Sequence, residues 1–270
     1  MDELMRHGRI NGAAHYYQNA PRASKLASRR KKRMEKVAAY CGTRNLYADM
    51  EMSAKSLVAN SRVDRIHFFI EDPDFPSELP DIVQVHDASA QTFIKPDAPS
   101  NATQYTYMAL LRAALFKLLP DDAAVLSLDC DTVAVADCTA IWDAPLDGCY
   151  FAAVPESWMD RRGTVYANAG VVLYNLAKLR DGKGDEVLQV LNSHYFRYCE
   201  QDAMNWLCQG RIAELGPEYN WCCVVNKGGK PGPRIIHYAA RDDWRGEPEA
   251  VKYRDMTWDE AMARHADILA

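Results

Sequence analysis

The chain has 270 residues, 48% of them hydrophobic, with a net charge of −5, enough for one large domain with a full core or two small ones. No run of ~18 apolar residues occurs, which excludes a membrane-spanning helix, and no apolar signal-peptide stretch lies near the N-terminus, so a cytoplasmic protein is expected. Eight cysteines without a C-x-x-C pair indicate reduced core thiols, not a zinc site or a thioredoxin-like motif.

Charge divides the chain. Residues 1–36 carry ten Lys/Arg against three Asp/Glu, and the remainder 22 against 34. The run Arg29-Arg30-Lys31-Lys32-Arg33 has no base-stacking partners around it, so a solvated basic extension is expected and no nucleic-acid partner. Contact with an anionic membrane surface stays open. Met34 directly precedes the first strand-like segment, as an alternative start would, so the extension is expected to be dispensable.

After it, strands and helices alternate. Residues 37–41 form a short apolar run broken by Gly42; Met50, Ala54, Leu57 and Val58 then share one helical face. Strands are predicted over 65–70 and 82–85, with Pro73, Pro76 and Pro80 marking the loop between them. Residues 106–119 read as one helix with Leu111, Leu115 and Leu118 on a stripe, stopped by Pro120. Residues 123–128 are almost wholly apolar, a strand buried on both faces. Further strands are expected over 150–154, 170–174 and 234–238, and helices over 186–195, 201–209 and 258–268. Trp142 and Trp158 read as packing residues. The alternation predicts an α/β fold, a mainly parallel sheet with helices on both faces. In such sheets the ligand lies beyond the carboxyl ends of the strands.

Directly after the 123–128 strand stands Asp129-Cys130-Asp131. Two carboxylates two residues apart in extended chain point the same way, so both can meet one cation. At the end of a buried strand ionised groups are costly unless paired or metal-bound, and hard oxygen ligands favour Mg2+ or Mn2+. The alternative is a solvated turn with two acids.

With that block in place the sequence resembles glycosyltransferase family eight, the retaining GT-A enzymes, from about residue 37 to 244. Gly42-Thr43-Arg44-Asn45-Leu46-Tyr47 resembles the loop that holds the uracil. Arg112 resembles the helix arginine before the D-x-D strand, and Leu126-Ser127-Leu128-Asp129-Cys130-Asp131 the YLDxD block. Asn168-Ala169-Gly170-Val171-Val172-Leu173-Tyr174-Asn175 is similar to NxGVxLxN, and Glu200-Gln201-Asp202-Ala203-Met204-Asn205 to DQDxLN. Ile235-Ile236-His237-Tyr238, with Trp244 beyond, resembles the closing HYxG…KPW segment. Two departures matter: Glu200 stands for the first acid of DQD, and Asp242-Asp243-Trp244 for Lys-Pro-Trp. The family lysine touches the donor diphosphate, and Arg241 is the candidate to replace its charge.

The resemblance implies a GT-A fold with a Rossmann-like, mostly parallel sheet over 37–245, followed by a C-terminal helical segment over 246–270. It implies retaining transfer of a hexose from a UDP-sugar donor to an unidentified glycan, lipid-linked or protein acceptor. Asp129, Asp131 and His237 are expected to hold Mn2+ (or Mg2+). Thr43, Asn45, Tyr47, Arg112, Asn168 and Arg241 are the donor-binding candidates, and Glu200 and Gln201 the catalytic ones, positioning the donor sugar in a front-face reaction. Several of these residues have a plainer reading: a buried histidine satisfied by backbone for His237, a core aromatic for Tyr47, a snorkelling side chain for Arg112. Asn168 also suits a turn, and Glu200 a helix N-terminus. Two rival functions remain. A haloacid-dehalogenase-type phosphatase also places D-x-D after an apolar strand, and Thr132-Val133 with Asp242-Asp243 mimic its set. A non-catalytic nucleotide-sugar binder would explain the missing Lys-Pro.

Overall fold

The computed structural model describes residues 34–270 except 73, 75–77, 104, 158–163, 223 and 226–230. Most of the basic extension, with its 29–33 run, and Trp158 and Cys223 lie outside the described residues. Met34–Ala270 form one compact unit. Its elements are β1 (Val37–Gly42), α1 (Tyr47–Asn60), β2 (Arg65–Ile70), β3 (Val83–Asp87), α2 (Tyr107–Leu111), α3 (Leu115–Leu118), β4 (Val125–Leu128), β5 (Thr132–Ala134), β6 (Phe151–Pro155), β7 (Ala167–Tyr174), α4 (Leu176–Leu179), α5 (Lys183–Leu191), α6 (Cys199–Leu207), β8 (Ile212–Glu214), β9 (Ile235–His237), α7 (Pro248–Asp255) and α8 (Trp258–Leu269). No described helix is long and apolar enough to cross a membrane.

The main sheet has seven strands in the order β3-β2-β1-β4-β7-β6-β8. β7 pairs antiparallel with both β4 and β6, and every other neighbouring pair is parallel. The sheet is therefore mostly parallel, with β7 alone reversed. All six residues of β1 and all eight of β7 are buried, as central strands covered on both faces must be. Period-two alternation divides their side chains. Ala38, Tyr40, Leu126, Val171 and Leu173 face a core shared with Met50 and Leu57 of α1 and Tyr253 of α7. Val37, Ala39, Val125, Val172 and Tyr174 face a second core with Leu111, Leu115, Val187 and Met204. Trp142 is buried and donates to Val37 O at 3.0 Å, a packing role.

α7 and α8 lie against α1, and Lys55 of α1 donates to the Arg254 and Met256 carbonyls at 3.1 and 2.7 Å. These are carbonyls at the end of α7, so a cation from a neighbouring helix satisfies groups that have no intrahelical partner. A capping box between Thr257 and Glu260 starts α8.

Two departures from the sequence expectations shape the site. The helix predicted over 106–119 is broken: Arg112–Ala114 form a 3-10 turn between α2 and α3. The Arg112 guanidinium is drawn inward there, onto Asp129 and Glu200, and its Nε donates to Ala109 O at 3.2 Å. The second is a small antiparallel sheet of β5 and β9; β5 has only three residues, too short to show alternation.

Candidate metal and donor site

The site begins where β4 leaves the main sheet. Asp129 N–H still donates to Gly170 O of β7 at 2.8 Å. The chain then turns: Thr132 N–H and Oγ1 donate to Asp129 O at 3.3 and 2.7 Å. β5 starts at Thr132, which pairs with His237 of β9, and Tyr238 N–H donates to Asp131 O at 3.0 Å. A turn, not an extended strand, thus brings Asp129 and Asp131 together, because the chain must leave the buried sheet to expose two charges. His237 Nε2 lies 3.5 Å from Asp129 Oδ2 and 3.3 Å from Asp131 Oδ1. One ligand atom from each of the three residues falls within 4.8 Å of the others. Two carboxylates and an imidazole suit Mn2+ or Mg2+.

The surroundings fit such an ion. His237 is buried, and its Nδ1 lies 2.9 Å from Asn220 Oδ1, so the ring directs Nε2 at the carboxylates. Its ring lies over Gly170, where a Cβ would sit 2.1 Å from Cε1; only glycine leaves that room. Burial disfavours the imidazolium, but Asp131, side-chain hydrogen bonds and Asp129 outweigh it and hold the His237 pKa well above its usual value. Burial raises the Asp129 pKa against the pull of Arg112 and His237. For Asp131 burial is outweighed, chiefly by His237, and the net shift is downward. The trio wants positive charge at its centre, which a divalent ion supplies.

Arg112 Nη1 pairs with Asp129 and donates to Ala169 O at 3.1 Å, and its Nη2 pairs with Glu200. Glu200 is buried, and burial pushes its carboxyl up to about 7, with Arg112 opposing and Asp129 adding to the shift. A carboxyl raised in the folded chain keeps a proton that the unfolded chain has released. Its contribution to stability therefore falls as pH climbs from the ordinary carboxylate value to about 7. Glu200→Gln should remove that component. The wild type is expected to lose about 3 kcal/mol relative to the variant between pH 4.5 and 8, measured by urea unfolding; parallel pH profiles would contradict it.

A second network joins Glu156, Asn168, Gln201 and Tyr166. Glu156 Oε1 accepts from Asn168 Nδ2 at 2.8 Å and Gln201 Nε2 at 3.1 Å. Gln201 Oε1 accepts from Ala169 N–H at 2.8 Å, and its Nε2 also lies 3.1 Å from Tyr166 OH. Asp202 is engaged by the Tyr166 hydroxyl and by Tyr198 N–H.

Two adjoining clefts, of about 290 and 330 Å3, share Tyr105, Ala109, Arg112, Asp129 and Asp131. The first is further walled by Glu156, Asn168, Tyr198, Glu200, Gln201 and His237, the second by Leu46, Asp49, Trp244 and Arg245. The structure thus brings together Arg112, Asp129, Asp131, Asn168, Glu200, Gln201 and His237. Thr43, Asn45, Tyr47 and Arg241 are not among the described residues lining either cleft. The Thr43 hydroxyl bonds Asn45. Tyr47 packs edge-on against Phe68 with ring centroids 6.3 Å apart, and burial, with Glu51, pushes its phenol up to about 12. Arg241 Nη2 is held by Asp243 and Glu247 at 3.1 and 2.5 Å.

Several residues escaped the sequence reading. Arg245 faces the second cleft, gripping Asp49 with Nε–Oδ1 and Nη2–Oδ2 distances of 3.0 and 2.5 Å, its guanidinium 4.8 Å from the centre of a Trp244 ring. Its place directly after Trp244 was the available signal. Glu156 and Asn220 carry none, since they lie in loops far apart in sequence.

A sequence model described as glycosyl transferase family 8 matches residues 37–242. The curated glycosyltransferase GlyB of Streptococcus pneumoniae serotype 4 is 24% identical over 169 residues, 55% of this chain and 41% of GlyB. The crystal structure of the glycosyltransferase GlyE from Streptococcus pneumoniae TIGR4 superposes with a TM-score of 0.67 at 19% identity, covering 87% of this chain and 64% of that one. Galactosyltransferase LgtC, crystallised with donor and acceptor sugar analogs, gives 0.58 at 17% identity, covering 86% and 95%. The chain spans less than two thirds of GlyB and GlyE. The structural matches show a GT-A type fold. Since the family match extends over most of the sequence, from β1 to beyond the His237 strand, the chain belongs to glycosyl transferase family 8.

Proposed function

We propose that this protein transfers a hexose from a UDP-sugar to an acceptor with retention of configuration, using Mn2+ or Mg2+ held by Asp129, Asp131 and His237. The observation that carries this reading is the convergence of two carboxylates and His237 Nε2 on the wall shared by two adjoining clefts. Bound there, the ion would offset the charge gathering on the departing diphosphate. LgtC was crystallised with donor and acceptor sugar analogs; in this chain we assign the cleft walled by Asp49 and the cation Arg245 to the anionic nucleotide, and the amide-lined Asn168–Gln201 cleft to the sugars. In this reading 37–245 is the catalytic domain, 246–270 a helical segment packed on α1, and the protein works in the cytoplasm.

Arg245, not Arg241, is then the cation that meets diphosphate oxygens, exchanging one anionic partner, Asp49, for another. Arg245→Ala should weaken UDP binding about 10–100-fold, the range for losing a charge-assisted hydrogen bond, while Arg241→Ala leaves it unchanged. Calorimetry with UDP and Mn2+ checks both, and equal affinities for all three proteins would oppose the assignment.

The buried Arg112–Glu200 pair and the tied Asp202 carboxylate favour a front-face reaction, since neither acid is free to attack the sugar. Gln201 and Asn168 face the sugar cleft with amides that can orient hydroxyls. A mass-spectrometric screen of UDP-sugars should show Mn2+-dependent UDP release, and NMR a retained product anomer. Release of phosphate from an aryl phosphate would point to the phosphatase reading, and binding without turnover to a nucleotide-sugar binder.

A further inference from the structure

We propose that Asn220 is the positioning residue that aims His237 Nε2 at the space between Asp129 and Asp131, as the last link of a buried amide chain that begins at Glu156. The inference rests on the metal reading above. The chain has four members, Glu156, Asn168, Asn220 and His237, all buried. Asn168 Nδ2 donates to Glu156 Oε1 at 2.8 Å, Asn220 Nδ2 donates to Asn168 Oδ1 at 2.8 Å, and Asn220 Oδ1 lies 2.9 Å from His237 Nδ1.

The chemistry of the groups gives the chain one direction. A carboxylate only accepts, so Glu156 selects the NH2 end of Asn168. The Asn168 oxygen then faces away from Glu156, where Gly170 N–H also donates to it at 3.0 Å. Asn220 must meet that oxygen with its own NH2, which leaves Asn220 Oδ1 facing the imidazole. Nδ1 therefore carries a proton, which makes Nε2 the nitrogen that would ligate a cation. Reversing either amide would set two donors or two acceptors against each other in a buried site, an arrangement that costs more than a lost hydrogen bond. Metal-ligating histidines are commonly oriented through their second nitrogen in this way. Asn220 is not among the described residues lining either cleft, so its effect reaches the ion through His237.

Mn2+ titrated calorimetrically into the wild-type chain and into Asn220→Leu tests this, with the melting temperature of each measured beside it. Asn220→Leu is expected to weaken Mn2+ binding about 10–100-fold at a temperature where it is folded. Glu156→Gln, which lets Asn168 turn over, should weaken it in the same direction. An independent readout uses the wild type alone: long-range 1H–15N NMR of its histidines with Mg2+ present should show His237 protonated at Nδ1. A folded Asn220→Leu with wild-type Mn2+ affinity, or a wild-type His237 protonated at Nε2 in the Mg2+-loaded protein, overturns the proposal. Should Asn220→Leu not fold, the wild-type spectrum decides. A wild type that takes up no Mn2+ would sink the metal reading itself, a result distinct from a variant that matches a Mn2+-binding wild type.

Discussion

Asp131→Ala and Asp129→Ala are expected to lower Mn2+-dependent UDP-sugar turnover by about 1000-fold or more. Charge stabilisation by a bound cation is worth several kcal/mol in the transition state, and each 1.36 kcal/mol is tenfold in rate. Both carboxylates lie within 3.5 Å of His237 Nε2, so removing either takes one of three ligands and one of two negative charges. The two variants should differ in stability. Among the described residues Asp131 makes an ion pair with His237 and none with an arginine, whereas Asp129 pairs with buried Arg112. Asp129→Ala takes one of the two carboxylates from that guanidinium and leaves it with Glu200 and the Ala109 and Ala169 carbonyls, so it should melt below Asp131→Ala. Turnover against Mn2+ concentration, with melting curves alongside, checks both statements. Near-normal turnover by either variant would remove the metal assignment.

Gly170→Ala is expected to be almost as damaging to activity, although it changes no functional group. The added Cβ would lie 2.1 Å from His237 Cε1 and 2.4 Å from Nδ1, so the ring must leave its place. Misplacing a reacting group by about 1 Å costs on the order of 100-fold in rate, and overpacking typically costs about 1–3 kcal/mol of stability. Gly184→Ala is the matched control. Its Cβ would strike the Phe116 ring at 2.5 Å, in the second core and away from both clefts. That variant should lose comparable stability and keep its turnover per folded molecule. Comparing rates normalised to the folded fraction separates the two; equal loss in both would mean that Gly170 matters only for packing.

Much of the architecture was legible because the strands are buried on both faces. β1 and β4 read as apolar runs, and Asp129-Cys130-Asp131 stood out as charge at the end of one of them. The reversed direction of β7 left no mark, since an eight-residue strand buried on both faces has the same apolar pattern whichever way it runs. β5 was hidden by its length, and with it the β5–β9 pairing that carries His237 to the carboxylates. The break at Arg112 was invisible because the leucine stripe continues across it; what tightens the helix is a guanidinium turned toward acids 17 and 88 residues away in sequence. Charge near the C-terminus was foreseen, but Arg241 is held by Asp243 and Glu247, and Arg245 faces the cleft. Spacing alone does not say which of two nearby arginines has exposed anionic neighbours to occupy it.

Whether Asp129, Asp131 and His237 form a metal-dependent nucleotide-sugar site is tested most directly by calorimetric titration of UDP into the metal-stripped chain, with and without Mn2+. The expected result is saturable UDP binding that needs Mn2+, is lost in Asp131→Ala, and is much weaker for GDP. UDP affinity that is unchanged by removing Mn2+ would contradict it, and equal affinity for UDP and GDP would contradict the uridine donor.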